Sequence, residues 1–196
     1  MTKPHTTNHE QSLDKAKFGF WVYVMTDCVL FATLFATYAV LRNNTAEGPS
    51  AKDLFSLNFV LLETMLLLTS SFTYGLALIF AKQNNKKMTI NWLTITAMLG
   101  LSFLAMELYE FNHLITEGHA WSASAFLSAY FTLVGTHGLH IIIGLIWIFV
   151  SIFRLKQGTL NIKNNNSLTM LGIFWHFLDI IWIFIFSFVY LIGVAL

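Results

Sequence analysis

Residues 124–153 read SAFLSAYFTLVGTHGLHIIIGLIWIFVSIF. No lysine, arginine, aspartate, glutamate or proline interrupts the run. As an α-helix it is roughly 45 Å long, more than the roughly 30 Å of a bilayer's hydrocarbon core, whereas a transmembrane strand needs only about 10 residues. The stretch therefore predicts a membrane-spanning helix. Similar apolar runs recur at 18–41, 57–81, 90–114 and 168–195. The expected fold is an all-α polytopic membrane bundle of five transmembrane helices: a membrane domain over 18–196 behind a disordered tail at 1–17.

Composition supports this reading. The chain is 56% hydrophobic and only 11% charged, against about 25% charged residues in an average soluble domain. Pro4 and Pro49 both lie outside the apolar runs, so no helix interior needs a proline kink. The connections at 42–56, 82–89, 115–123 and 154–167 are too short to hold a soluble catalytic module. A net charge of +1 with scattered basic residues excludes a nucleic-acid surface. The single cysteine, Cys28, has no partner for an internal disulfide and reads as a small packing residue. The polar first 17 residues lack the apolar core of a cleavable signal peptide, so the first helix is expected to direct insertion.

Basic residues set the expected orientation. Lys3, Lys15, Lys17, Lys82, Lys86, Lys87, Arg154, Lys156 and Lys163 fall on one side of a five-span chain, and Arg42 and Lys52 on the other. The positive-inside rule makes the first side cytoplasmic, with the N-terminus inside and the C-terminus periplasmic. Trp21, Trp92 and Trp147 then lie near the inner boundary and Trp121 near the outer one, as an aromatic belt requires.

Polar residues inside the runs are the candidate functional positions: Asp27, Glu63, Glu107, Glu110, His137, His140, His176 and Asp179. An aspartate at a helix centre costs about 2.5–3.5 kcal/mol on the insertion scale, so these side chains are expected to face the bundle interior as a structural polar network. Glu107 with Glu110, His137 with His140, and His176 with Asp179 are each three residues apart and share a helix face. Depth places Glu63 and Glu107 in an outer layer. Asp27, His140, His176 and Asp179 fall in an inner one, with His140 expected to bond an acid on the first or fifth helix. Ala32 and Ala36 on the first helix, and Ser128, Thr132, Gly135, Thr136, Gly138 and Gly144 on the fourth, have the spacing and size of helix-packing positions.

Two cofactor readings arise from the spacing. Glu110-Phe-Asn-His113 has the Glu-x-x-His pattern of di-iron bundles, but those use two copies and two further glutamates, and here there is one copy. His137 or His140 with His176 could, on spacing alone, be axial ligands of a haem b in a quinone-reactive membrane anchor; hydrogen bonding to a neighbouring polar group is the alternative. A proton relay would need polar groups at every depth, and no inverted repeat marks a transporter.

The runs GTHGLHIIIG at 135–144 and WHFLDIIW at 175–182 resemble signatures of the haem–copper oxidase subunit III family. Residues 106–110, MELYE, are similar to its paired-glutamate segment. FGFWVYVMTDCVLF at 18–31 and FATYAVL at 35–41 resemble the quinol-oxidase, or bo-type, branch, whose members have five helices. The resemblance covers essentially the whole chain from residue 18. It implies a subunit with no catalytic residue, haem or copper of its own, in a proton-pumping terminal oxidase of the bacterial inner membrane. Haem and copper would lie in subunit I, ubiquinol would be oxidised, and oxygen reduced to water. The partners implied are subunits I, II and IV, with phospholipid held between helices, and Glu107, Glu110, His137, His140, His176 and Asp179 would be structural polar residues.

The charge asymmetry yields a direct test. Alkaline phosphatase fused after residue 196 is expected to be active and a green fluorescent protein there dark; fused at 84 the pattern reverses. The opposite result at both sites would invert the orientation.

Overall fold

The computed structural model describes residues 5–46, 56–158 and 162–195. Helices α1 (His5–Leu41), α2 (Leu57–Lys82), α3 (Lys86–Thr116), α4 (Ala125–Gln157) and α5 (Ile162–Ile185) are followed by a π-helical turn, Phe186–Leu191, and the short α6 (Ile192–Ala195). No strand occurs among the described residues. Five segments are long and apolar enough to span a membrane: Lys15–Leu41, Leu57–Lys82, Lys86–Thr116, Ala125–Gln157 and Asn165–Leu191.

Local sequence explains most boundaries. Asn85 caps α3, its side chain accepting from the Met88 amide at 3.3 Å, and Ser124 caps α4 through the Leu127 amide at 3.1 Å. The α2–α3 turn is closed by Asn84 in the left-handed region (φ 57°), and the chain leaves α3 through Gly118 at φ 87°. Two boundaries differ from expectation. Over 5–17 the expected disordered tail is helix, because neither glycine nor proline stands between Pro4 and Gly19 to stop α1 propagating back. The last span widens into a π turn where an unbroken helix was expected; such a turn absorbs an extra residue and re-aims the side chains beyond it. Residues 47–55 of the first connection, with Pro49, lie outside the described residues.

Helices α2, α3, α4 and α5 form a closed ring, each touching the next, with α5 returning to α2. Helix α1 lies outside it, against α4 and α5. Accordingly, only 22% of the α1 spanning window is buried, against 56% for the last span.

Trp175 is the centre of the ring. Its indole Nε1 donates to Ser70 Oγ at 3.1 Å, and that hydroxyl donates on to the Thr96 carbonyl at 3.3 Å, so one chain of bonds joins α5, α2 and α3. Two glycines make room for the indole: a Cβ on Gly144 would sit 2.8 Å from Trp175 Cζ3, and one on Gly100 3.0 Å from Cη2. Trp182, two turns further along α5, donates to Thr64 Oγ1 at 3.1 Å and meets Phe103 edge-on at 4.7 Å. Tyr74 bonds the Leu168 carbonyl at 2.8 Å. Hydroxyls on the outer surface return to their own helix instead: Thr69 to the Met65 carbonyl, Ser102 to Met98 and Thr132 to Ser128, at 2.7–2.9 Å. No unbonded hydroxyl of theirs is presented to lipid.

The packing predicts a contrast between glycines. Gly144→Ala is expected to destabilise the chain by about 1–3 kcal/mol through overpacking. Gly75→Ala, where an added Cβ meets nothing within 4 Å, is expected to stabilise it by about 0.5–1 kcal/mol. Reversible unfolding in mixed micelles measures both.

Candidate functional site

The eight polar residues separate into clusters along the bundle. In the middle, Asp27 on α1 points at His140 on α4, Oδ1 to Nε2 at 3.8 Å. The other ring nitrogen, Nδ1, donates to the Thr136 carbonyl one turn back at 2.7 Å. That bond fixes the imidazole so that Nε2 faces the acid. The Phe31 ring covers the pair, its centroid 5.3 Å from that of His140.

A second cluster joins α2 to α5. His176 Nδ1 hydrogen-bonds Ser71 Oγ, and Asp179, one turn on, is also within reach of that hydroxyl. The single inner layer expected from depth is therefore two separate sites. His140 takes its acid from α1, while His176 and Asp179 converge on a serine of α2. Helix rotation decides this: the i and i+3 positions of α5 face α2, away from α1.

The third cluster lies towards the Trp121 end. Glu63 on α2 and Glu107 and Glu110 on α3 come within electrostatic reach of one another. Glu110 Oε2 accepts from the Tyr190 hydroxyl at 3.4 Å, and Tyr190 shares a 2.9 Å bond with Tyr130 on α4. Tyr190 sits in the π turn, which brings its ring inward. Glu107 lies flat against Gly138 of α4, where a Cβ would be 2.8 Å from Oε1. The carboxyl oxygens of Glu63 and Glu107 meet no protein donor among the described residues.

His137 stands apart in an aromatic box, stacked on Trp182 at 5.2 Å and edge-on to Phe103 at 6.1 Å, with Phe31 at 6.4 Å. A porphyrin ligated there would have to displace all three rings, and His140 turns to Asp27 on α1 while His176 turns to Ser71 on α2, so the imidazoles do not converge on one space. The residues present do not fit a bis-histidine haem. The Glu-x-x-His pair also separates, since Glu110 turns to Tyr190 and His113 pairs with Glu117 at 3.3 Å on the surface. Among the described residues no group of three or more His, Cys, Asp or Glu is arranged to hold a metal ion.

The small residues divide too. Gly138 and Gly144 sit at close helix contacts, and Gly135 leaves ordinary van der Waals room for Phe111. Thr136 supplies the carbonyl for His140. Ser128 and Thr132 face outward and bond to carbonyls of Trp121 and Ser128. Ala32 and Ala36 were expected in a helix contact but are exposed and line an open groove, because the face of α1 that carries them points away from α4. Sequence reasoning missed Ser71, Tyr130 and Tyr190. Serine and tyrosine are common in membrane helices, and nothing in spacing separates an inward hydroxyl from an outward one.

The chain matches the sequence profile of the family described as cytochrome c oxidase subunit III over residues 2–194. It is similar to cytochrome bo(3) ubiquinol oxidase subunit 3 of Pseudomonas aeruginosa, with 55% identity over 90% of this chain and 84% of the relative. The subunit of the same name from Buchnera aphidicola subsp. Baizongia pistaciae is 50% identical over 92% of this chain and 93% of the relative. Cytochrome c oxidase subunit 3 of Alkalihalophilus pseudofirmus is 46% identical over 92% and 89%.

The Ser71 junction gives a further prediction. Ser71→Ala removes the partner shared by His176 and Asp179 and is expected to lower stability by about 1–3 kcal/mol, the cost of leaving a buried polar group unbonded. Thr69→Ala, on the outer face, is expected to change it by less than about 0.5 kcal/mol. Equal effects of the two substitutions on the unfolding midpoint would contradict the assignment.

Proposed function

The chain belongs to the cytochrome c oxidase subunit III family, and from that premise we propose that it supports its complex mechanically, with no redox centre of its own. It is subunit III of a haem–copper oxidase of the bo3 ubiquinol type, a multi-pass protein of the bacterial inner membrane. The proposed role is to stabilise the catalytic subunit I, to hold phospholipid between helices, and to sustain turnover and proton uptake. Ubiquinol oxidation, oxygen reduction and the haem and copper belong to subunit I, with subunits II and IV completing the assembly.

The observation that supports this reading is the use made of the buried polar side chains. Asp27 and His140 link α1 to α4; Ser71 links α2 to α5; Glu110 links α3 to the π turn; Glu107 is pressed on α4. The residues that could have held a cofactor act as ties between helices and give a defined shape for another subunit to pack on. In this proposal the N-terminus is cytoplasmic and the C-terminus periplasmic, as the basic residues direct.

Two measurements test it. A tagged chain is expected to co-purify with a haem- and copper-bearing subunit. After dissociation, the Soret band and the α and β bands of the reduced spectrum are expected to stay with that subunit. A reduced spectrum carried by the isolated chain would favour the haem b anchor. A complex lacking the chain is expected to start at near-normal rate and lose activity several-fold faster during turnover; unchanged persistence would refute the supporting role.

A further inference from the structure

Outside the polar clusters, α1 and the last span enclose a groove of about 390 Å³, open to the membrane, within the range of about 300–1,000 Å³ usual for small-molecule sites. Ala32 and Ala36 leave the space beside α1. Three phenyl rings line it. Phe184 and Phe188 are nearly parallel, with centroids 6.2 Å apart and planes at 16°. Phe35 is inclined to both, at 6.3 and 6.2 Å.

Two hydrogen-bond donors stand at the end of the groove nearer the membrane boundary. Tyr38 as a whole is only 3% exposed and lines the groove; its hydroxyl oxygen is open to that space and finds no acceptor among the described residues. A hydroxyl with no acceptor is costly where it faces hydrocarbon, whereas the fully buried tyrosines Tyr74, Tyr130 and Tyr190 each have a partner. Arg42, one turn further on the same face, is close enough to act electrostatically on that hydroxyl and also lines the groove.

An occupant must therefore offer acceptors to two neighbouring donors at the boundary, a flat ring to three phenyl groups, and an apolar tail towards the midplane. Phosphate headgroups are favoured by clusters of cations, and among the described residues Arg42 is the single cation lining this groove. Aromatic walls instead favour the face or edge of a ring. We propose that the groove is an accessory, non-catalytic binding site for a prenylated quinone. A ring oxygen accepts from the Tyr38 hydroxyl, the head lies towards Arg42, and the isoprenoid tail runs along Ala32 and Ala36. This goes beyond the supporting role above and assigns no electron transfer to the chain.

The test uses the purified oxidase complex, irradiated with an azido-ubiquinone and mapped by peptide mass spectrometry, with labelling of the other subunits as internal reference. Label is expected on peptides containing 32–42 or 184–188. Tyr38→Phe, which keeps the ring, is expected to reduce it by about three- to tenfold, the loss of one buried hydrogen bond. Ala36→Leu, which fills the groove, is expected to abolish it, with co-purification confirming assembly of each variant. Absence of label on this chain in the unsubstituted complex would overturn the proposal. So would labelling that Tyr38→Phe leaves unchanged, a phospholipid recovered from the groove, or a partner helix found filling it. None of these outcomes affects co-purification, so the supporting role stands or falls separately.

Discussion

Inside a bilayer there is no water to take a stray hydrogen bond, so an amide, hydroxyl or imidazole left without a protein partner is costly. Helices answer the amides within each segment. Several side chains are answered between segments, and in this chain those answers hold the bundle together. The indoles of Trp175 and Trp182 reach Ser70 and Thr64 across the α2–α5 seam, and Ser71 on the same stretch of α2 takes His176. Three hydroxyls within two turns of α2 thus receive three polar groups of α5. Gly100 and Gly144 matter because they let the Trp175 ring reach its partner.

The same constraint explains the polar residues that do not join helices. Thr69, Ser102 and Thr132 face outward and bond their own helix. Their side chains are satisfied without a neighbour, so they carry little information about function. Asp27, Glu107 and Glu110 cannot satisfy themselves in this way, because a carboxylate has no backbone donor to reach inside a helix. They turn to other segments, and the contacts of Asp27 and Glu110 tie α1 to α4 and α3 to the last span. A subunit tied together in this manner presents a stable face to a partner, which suits membership of an oxidase family whose relatives carry the name of third subunits.

Much of the candidate site was legible in the order of the amino acids. Depth pointed His140 to an acid on the first or the fifth helix without choosing between them; in the fold Asp27 of the first stands 3.8 Å from it. The pairing of His176 with a serine could not be read, since several hydroxyls on α2 lie at similar depth. Tyr190 was hidden for another reason. A regular helix through 186–191 would place its ring differently, and the π turn that brings it to Glu110 leaves no composition signal. Ala32 and Ala36 show the converse failure: small residues at a four-residue step suit both a helix contact and a groove, and here they line a groove.

The chain's residues determined by themselves the number, length and approximate ends of the five spans, together with the set of polar residues that cannot be left in hydrocarbon. These follow from the large free-energy difference between apolar and charged side chains in lipid, which is local to each residue. Tertiary structure alone decided which face of each span turns inward, and so which acid meets which imidazole and where a groove is left open. Lipid tails are as apolar as a protein core, so hydropathy is silent on rotation about the helix axis. Only close packing, exemplified by Trp175 between Gly100 and Gly144, sets that angle.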